Sequence, residues 1–272
     1  GLTLPSLFRI RTETLFSGRL GLYDADNTGE DSRKDKRNNM KIVINPLYKE
    51  FQTFIATLPE VFEQEGEIIF QGRNVLKRFQ IKGISFIVKR FKRPNWINRF
   101  IYVSFRSSKA TRSYLNGLRL VEFGINTPYP VAYIEEYYWG LSYSYYITLE
   151  EKGMKEIRCF CSGFGNGEPV GVLDAFGKFT ADMHKKGVLH KDYSPGNILF
   201  AYRNGEIYFS LVDINRMKFG VISEEEGYKS LNRLWFDDNG YKRVALAYAK
   251  EAGYNMEHAW ERIRFYKDKF MN

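Results

Sequence analysis

The sequence predicts an α+β fold of two lobes, the first rich in β-strands and the second mainly helical. Short apolar runs with strand-like alternation crowd the stretch from Phe79 to Glu135, with one helical segment among them. The character changes after Glu150-Glu151-Lys152-Gly153, and beyond Gly171 long segments repeat at helical spacing. The 272 residues are enough for one large domain or two modest lobes, each with a core of its own.

The elements follow in chain order. Residues 1–39 end in the polar, aperiodic run Asp31 to Asn39 and read as an extension outside the folded body. Met40 then opens Lys41-Ile42-Val43-Ile44 like a protein start, and a first lobe is expected over 40–150. Phe79 to Lys89 reads as β structure broken at Gly83, and Phe100 to Ser104 as a further short strand. Ser107 or Ser108 caps a helix running to about Phe123, with Tyr114, Leu118 and Val121 on one face and Gly124 as its stop. Val131 to Glu135 is another strand. The second lobe, 151–272, begins with a loop marked by Gly163, Gly165, Gly167 and Gly171. No P-loop Lys-Ser/Thr pair follows these glycines, so they are a poor phosphate cradle. A helix over 172–186 carries Phe176, Phe179 and Met183 and ends at Gly187. Tyr241 to Ala252 forms the next helix, stopped by Gly253, and Asn255 caps another that carries Ala259, Ile263 and Phe270.

Composition narrows the classes. No run approaches 18 apolar residues and no signal peptide is evident, so a cytoplasmic location is expected. Cys159 and Cys161, placed on one strand face, read as reduced thiols because too few soft ligands accompany them for zinc. The net charge of +9 suggests an anionic partner. It is unevenly spread: from Ile68 to Val121 there are 13 Lys and Arg and no acid.

The chemistry is concentrated in His190-Lys191-Asp192-Tyr193-Ser194-Pro195-Gly196-Asn197. The apolar run Ile198 to Phe200, a turn at Asn204-Gly205, and a second run ending Leu211-Val212-Asp213 follow it. Two carboxylates and an amide thus stand at the ends of a hairpin. Phosphoryl transfer requires that set: one carboxylate near the attacking hydroxyl, and one carboxylate plus an amide oxygen for Mg²⁺.

The H-x-D-x-x-x-x-N spacing resembles the catalytic loop of protein-kinase-like enzymes. With Gly124-Ile125-Asn126-Thr127-Pro128 and Asp213-Ile214-Asn215-Arg216, it is similar to the bacterial lipopolysaccharide kinase family, whose members phosphorylate Kdo or heptose sugars. The likeness spans about residues 60–235. It implies a bilobal protein-kinase-like fold with ATP and Mg²⁺ between the lobes. It also implies a phosphorylated lipid A–core sugar as acceptor, and peripheral contact with the cytoplasmic face of the inner membrane. Asp192 would be the catalytic base, His190 a brace of the loop close to the chemistry, and Asn197 and Asp213 the metal ligands. Lys89 would contact the α- and β-phosphates, under a covering loop near Gly72 and Asn74.

One departure stands out. The first-lobe helix, which in a kinase supplies a Glu to the strand lysine, has only Glu122, almost at its end. Three functions therefore remain open: a sugar kinase, a kinase of proteins or other small molecules, and a non-catalytic pseudokinase scaffold. The absence of an A-P-E-like segment disfavours a protein kinase. The basic stretch from Arg73 to Arg119 reads as a cationic face toward phosphorylated lipid and membrane, as a nucleic-acid surface, or as a solvated face. Nucleic acid is disfavoured because no recognised nucleic-acid module accompanies the charge.

Overall fold

A computed structural model describes residues 40–93, 107–162, 167–169 and 171–271. The expected extension over 1–39, the strand at Phe100 to Ser104, and Gly163 and Gly165 lie outside the described residues. Six strands form one antiparallel sheet: β1 (Met40–Ile44), β2 (Glu67–Gln71), β3 (Val75–Ile81), β4 (Ile84–Phe91), β5 (Pro130–Tyr137) and β6 (Leu141–Leu149). Their order is β1-β5-β6-β4-β3-β2. The β3–β4 hairpin turns on Lys82 and Gly83, both with positive φ, 50° and 78°. Two left-handed residues make the tight turn whose twist matches a hairpin.

Strand β6 was not expected from the sequence. Seven of its nine residues are buried, so the alternation that marks a half-exposed strand is missing. Helix α1 (Gln52–Val61) was also unforeseen. Pro59 reads as a breaker, yet it sits in the last turn, while Ile55 and Leu58 are fully buried. They join Phe51, Phe62, Phe79, Phe86 and Ile147 in the core of this lobe.

Helix α2 (Lys109–Glu122) starts where expected, with the Ser108 hydroxyl accepting from the Thr111 N–H at 3.1 Å. The buried face differs from the expected one. Ala110, Ser113, Tyr114, Gly117 and Leu120 are buried, whereas Leu118 and Val121 are only partly covered. Small residues at 110, 113 and 117 let the helix approach the sheet more closely than a Leu and Val face would.

The second core is built on α3 (Gly171–Lys185), α4 (Glu224–Ser230), α5 (Asp238–Ala252) and α6 (Met256–Met271). Phe176 and Met183 are buried in it, and Gly253, at φ 79°, ends α5 as its residue type foretold. The Asn255 side chain caps α6 through the His258 N–H at 2.9 Å. Cys159 and Cys161 lie in a 3₁₀ turn over Ile157–Ser162 rather than on a strand, and form no disulfide. Burial raises the pKa of both thiols. Among the described residues no helix is long and apolar enough to cross a membrane.

Part of the basic stretch is engaged within the fold, while Arg73, Lys82, Lys92, Arg93 and Arg119 are exposed. Lys77 is buried, and its ammonium donates to the carbonyls of Phe62, Glu63 and Glu65, closing the end of α1. Arg78 bridges Glu67 and Glu150, at 2.7 and 2.6 Å. Arg90 pairs with Glu63 and lies 4.6 Å over the Phe62 ring and 4.7 Å over Tyr143. Arg93 donates to Ser142, and Arg119 stacks 3.8 Å over Phe219. Charge from one end of the lobe is therefore committed to holding its own backbone and rings in place.

Two stability predictions follow from this burial. Lys77→Ala leaves three carbonyls without their shared donor and is expected to destabilise the protein by about 2–3 kcal/mol, read from urea unfolding. His184 is buried with its Nδ1 2.9 Å from the Tyr248 hydroxyl, and burial lowers its pKa to about 4. The unfolded chain therefore takes up a proton below pH 6.5 that the native state refuses. Stability is expected to fall from pH 6.5 toward pH 4, by about 2 kcal/mol at pH 5 from this group. In His184→Gln the pH dependence of unfolding between pH 7 and 5 should weaken; an unchanged slope excludes His184 as its source.

Candidate active site

The local chain path explains the loop. After the two-residue β7 (Lys155–Glu156), strand β8 (Val188–His190) pairs with β11 (Met217–Phe219), so the residues after His190 leave the sheet beside Arg216. The Lys191 N–H donates to the Arg216 carbonyl at 2.8 Å. A 3₁₀ turn over Pro195–Asn197 then feeds β9 (Ile198–Arg203), which returns as β10 (Glu206–Leu211) through the Asn204-Gly205 turn. The two ends of this hairpin are tied together: the Val212 N–H donates to the Asn197 carbonyl at 3.0 Å. Asn197 and Asp213, sixteen positions apart, are thus neighbours.

His190 is fully buried, and its Nδ1 accepts from the Asp192 N–H at 3.1 Å. That nitrogen carries no proton, so Nε2 carries it and donates to the Val212 carbonyl, also at 3.1 Å. Burial lowers the pKa of His190 against the pull of the Val212 carbonyl and the nearby carboxylates. A neutral ring with both nitrogens engaged braces Asp192 to the strand before Asp213. Its contacts are those of a brace of the loop.

Asn197 donates its amide N–H to the Asp192 carbonyl at 2.9 Å. This turns Oδ1 the other way, where no described group meets it. Asp213 has φ 55°, a left-handed conformation rare for a residue with a Cβ. Its Oδ1 accepts from Lys89 Nζ and from the Asn215 amide, each at 2.7 Å, while Oδ2 has no described partner. Burial acts to raise its pKa, but the Lys89 charge and the two hydrogen bonds outweigh burial and hold it below the usual range.

Lys89 thus finds its partner on the second lobe, 124 residues away. Glu122 is exposed at the far end of α2 and does not take that role. In place of a carboxylate, α2 offers Asn116, whose amide donates to the Ile214 carbonyl at 2.7 Å. Gly117 lies where a Cβ would come within 2.6 Å of Pro130 and 2.8 Å of the Tyr146 hydroxyl.

The covering loop is shaped by its own hydrogen bonds. The Asn74 side chain accepts from the Lys92 N–H at 3.2 Å, and its carbonyl accepts from Gly72 at 3.1 Å. Asn74 therefore shapes the β2–β3 turn. Gly72 is closed over by the Phe70 ring.

Several groups absent from the sequence reading stand close by. Lys109, in the first turn of α2, has a pKa lowered by burial and by Arg73, Arg112 and Lys89, with Asp213 opposing. The Arg158 guanidinium lies against Gly196, so that glycine serves close approach and not an unusual φ. Arg233 reaches Asp192 Oδ1 at 3.4 Å. No local motif announces any of them, because each arrives from a distant segment.

Residues 77–251 match the model of the lipopolysaccharide kinase (Kdo/WaaP) family. The chain belongs to this family. It is accordingly an ATP-dependent kinase of lipopolysaccharide biosynthesis. Among solved structures it is similar to WaaP in complex with acyl carrier protein, at 16% identity and a TM-score of 0.59. That likeness covers 84% of this chain and 97% of the other, and shows the protein-kinase-like fold. No curated protein matches the chain.

For this family member the contact of α2 with the Asp213–Ile214 turn is the testable joint. In a helix, Gly→Ala ordinarily gains about 1 kcal/mol. At Gly117 overpacking against Pro130 and Tyr146 should reverse the sign, destabilising by about 1–3 kcal/mol. Thermal unfolding of Gly117→Ala is expected to show that loss together with a raised KM for ATP, as Ile214 and Asp213 shift; a more stable variant with unchanged KM refutes the joint.

Proposed function

We propose that the protein transfers the γ-phosphoryl group of ATP to a hydroxyl of a Kdo or heptose sugar on a lipopolysaccharide core precursor. The convergence of Lys89, Asp192, Asn197 and Asp213 carries this reading, above all the 2.7 Å contact that joins Lys89 of the first lobe to Asp213 of the second. ATP would lie between the lobes at 40–150 and 151–272, with its phosphates beside Lys89. Asn197 Oδ1 and Asp213 Oδ2 are hard oxygen donors with no described partner, a set that suits Mg²⁺ when phosphate oxygens complete the shell. Bound there, the ion would neutralise charge on the phosphate oxygens.

Asp192 has a half-exposed carboxylate whose backbone is held at both ends, by His190 and by Asn197. It orients the sugar hydroxyl and receives its proton. The hydroxyl oxygen forms the new P–O bond as the bond from the γ-phosphorus to the β–γ bridging oxygen breaks, and ADP leaves with that electron pair. The transition state is loose, so position and charge matter more than a strong base. Peripheral contact with the cytoplasmic face of the inner membrane is supported by the exposed Ile68, Ile69 and Phe70 of β2 and by the exposed Lys92, not by the engaged arginines.

Turnover with ATP and Kdo-lipid A, a heptosylated acceptor or a general protein substrate, read by product mass, tests the assignment. One added phosphate on a sugar acceptor supports it, and phosphate on the protein alone overturns it. Asp192→Asn is expected to fold normally and to lose about 10²-fold or more in kcat. Retention of a third of the parent rate would remove Asp192 from this role.

A further inference from the structure

The cation at Asp192 is placed by an unusual piece of backbone. After the 3₁₀ turn Leu231–Arg233, Trp235 adopts φ 57°, a conformation in which a bulky L-residue is seldom found. The Tyr241 hydroxyl locks it: it accepts from the Leu234 N–H at 3.0 Å and the Trp235 N–H at 3.2 Å, and contacts the Asn232 carbonyl at 3.2 Å. A strained segment held by three hydrogen bonds to one buried phenol presents two side chains together. One is Arg233, 4.8 Å over the Phe270 ring; the other is Trp235, half exposed and edge-on to the same ring at 5.6 Å.

Arg233 gains little for the fold where it stands. Its one described polar contact is 3.4 Å long, between side chains 41% and 37% exposed, and such a pair contributes little to stability. A guanidinium has five donors, and four have no described acceptor. Among the described residues it is the only cation within 4 Å of the Asp192 carboxylate.

Building on the sugar-kinase reading, we propose that Arg233 and Trp235 form an acceptor subsite for an anionic sugar. Arg233 takes a carboxylate or phosphate near the reacting hydroxyl, and the Trp235 indole packs on the ring's C–H face. An acceptor bearing negative charge is repelled by both Asp192 and the ATP phosphates, and a guanidinium between them offsets that repulsion while its fork orients the group. Arg233 is a specificity residue that touches substrate; Phe270 and Tyr241 position it.

Steady-state kinetics with three acceptors tests this: Kdo-lipid A, the same molecule with its carboxylate reduced to the alcohol, and the same molecule with the lipid A phosphates removed. For Arg233→Met the KM for Kdo-lipid A should rise about 10- to 100-fold, with the KM for ATP changed less than threefold. Arg233→Lys should fall between, and Trp235→Ala should raise the acceptor KM about tenfold. The penalty of Arg233→Met should vanish on whichever acceptor lacks the recognised anion, which identifies carboxylate or phosphate. An unchanged acceptor KM overturns the subsite. So does an equal loss of kcat on all three acceptors, which would make Arg233 a brace of Asp192. If the parent phosphorylates none of them and no heptosylated acceptor either, the sugar-kinase reading fails by itself. Acceptor binding without ATP, followed by fluorescence with Trp235→Phe as control, then decides the subsite: quenching lost in Trp235→Phe and weakened in Arg233→Met upholds it, and no quenching overturns it.

Discussion

Lys89 and Asp213 are 2.7 Å apart, and the arrangement of the cleft depends on that pair. Asp213 holds a left-handed backbone conformation between β10 and β11, which costs energy unless its surroundings fix it. They do so through the ammonium of Lys89, the amide of Asn215, and the Asn116 bond to the next carbonyl. The same contact fastens the strand of one lobe to the Asp213 turn of the other. Most kinases divide this work between a helix glutamate and the strand lysine; here α2 contributes an amide and a close-packed glycine, and the carboxylate comes from the turn itself.

The charge of the first lobe has a related logic. A net charge of +9 and a run of 13 cations without an acid invite a reading as a polyanion-binding surface. Folding instead assigns Lys77 to three carbonyls, Arg78 to two glutamates, and Arg90 to Glu63 and two rings. A buried ammonium without acceptors would be strongly destabilising, whereas one that ends a helix satisfies carbonyls that would otherwise be orphaned. For an anionic ligand there remain the group around Lys89 and Lys109, Arg233 beside Asp192, and exposed cations such as Arg73 and Lys92.

Much of the candidate site was legible before the fold was known. His190, Asp192, Asn197 and Asp213 lie within 24 residues, and intervals that short are governed by one loop and one hairpin. Turn chemistry was equally plain: Gly83, Asn204-Gly205 and Gly253 stand where positive φ is needed, and Ser108 and Asn255 cap helices. The role of His190 was readable as a brace, since an imidazole two residues before the acid can accept its N–H. Strand β6 and helix α1 were hidden for opposite reasons. One is buried on both faces and shows no alternation, and the other carries a proline that only its position in the last turn makes harmless.

By itself, then, the sequence determined the catalytic loop, the two-lobed α+β order and the points where chain direction reverses, because these depend on neighbours a few residues apart. Tertiary structure alone decided which carboxylate answers Lys89, which cations serve the fold, and that Arg233 stands beside Asp192. Those outcomes are contacts between separate segments, from 11 residues apart for Arg78 and Glu67 up to 124 for Lys89 and Asp213. Electrostatic partners at such separations are chosen by burial and by the competing acceptors that folding brings near, and neither has a local signature.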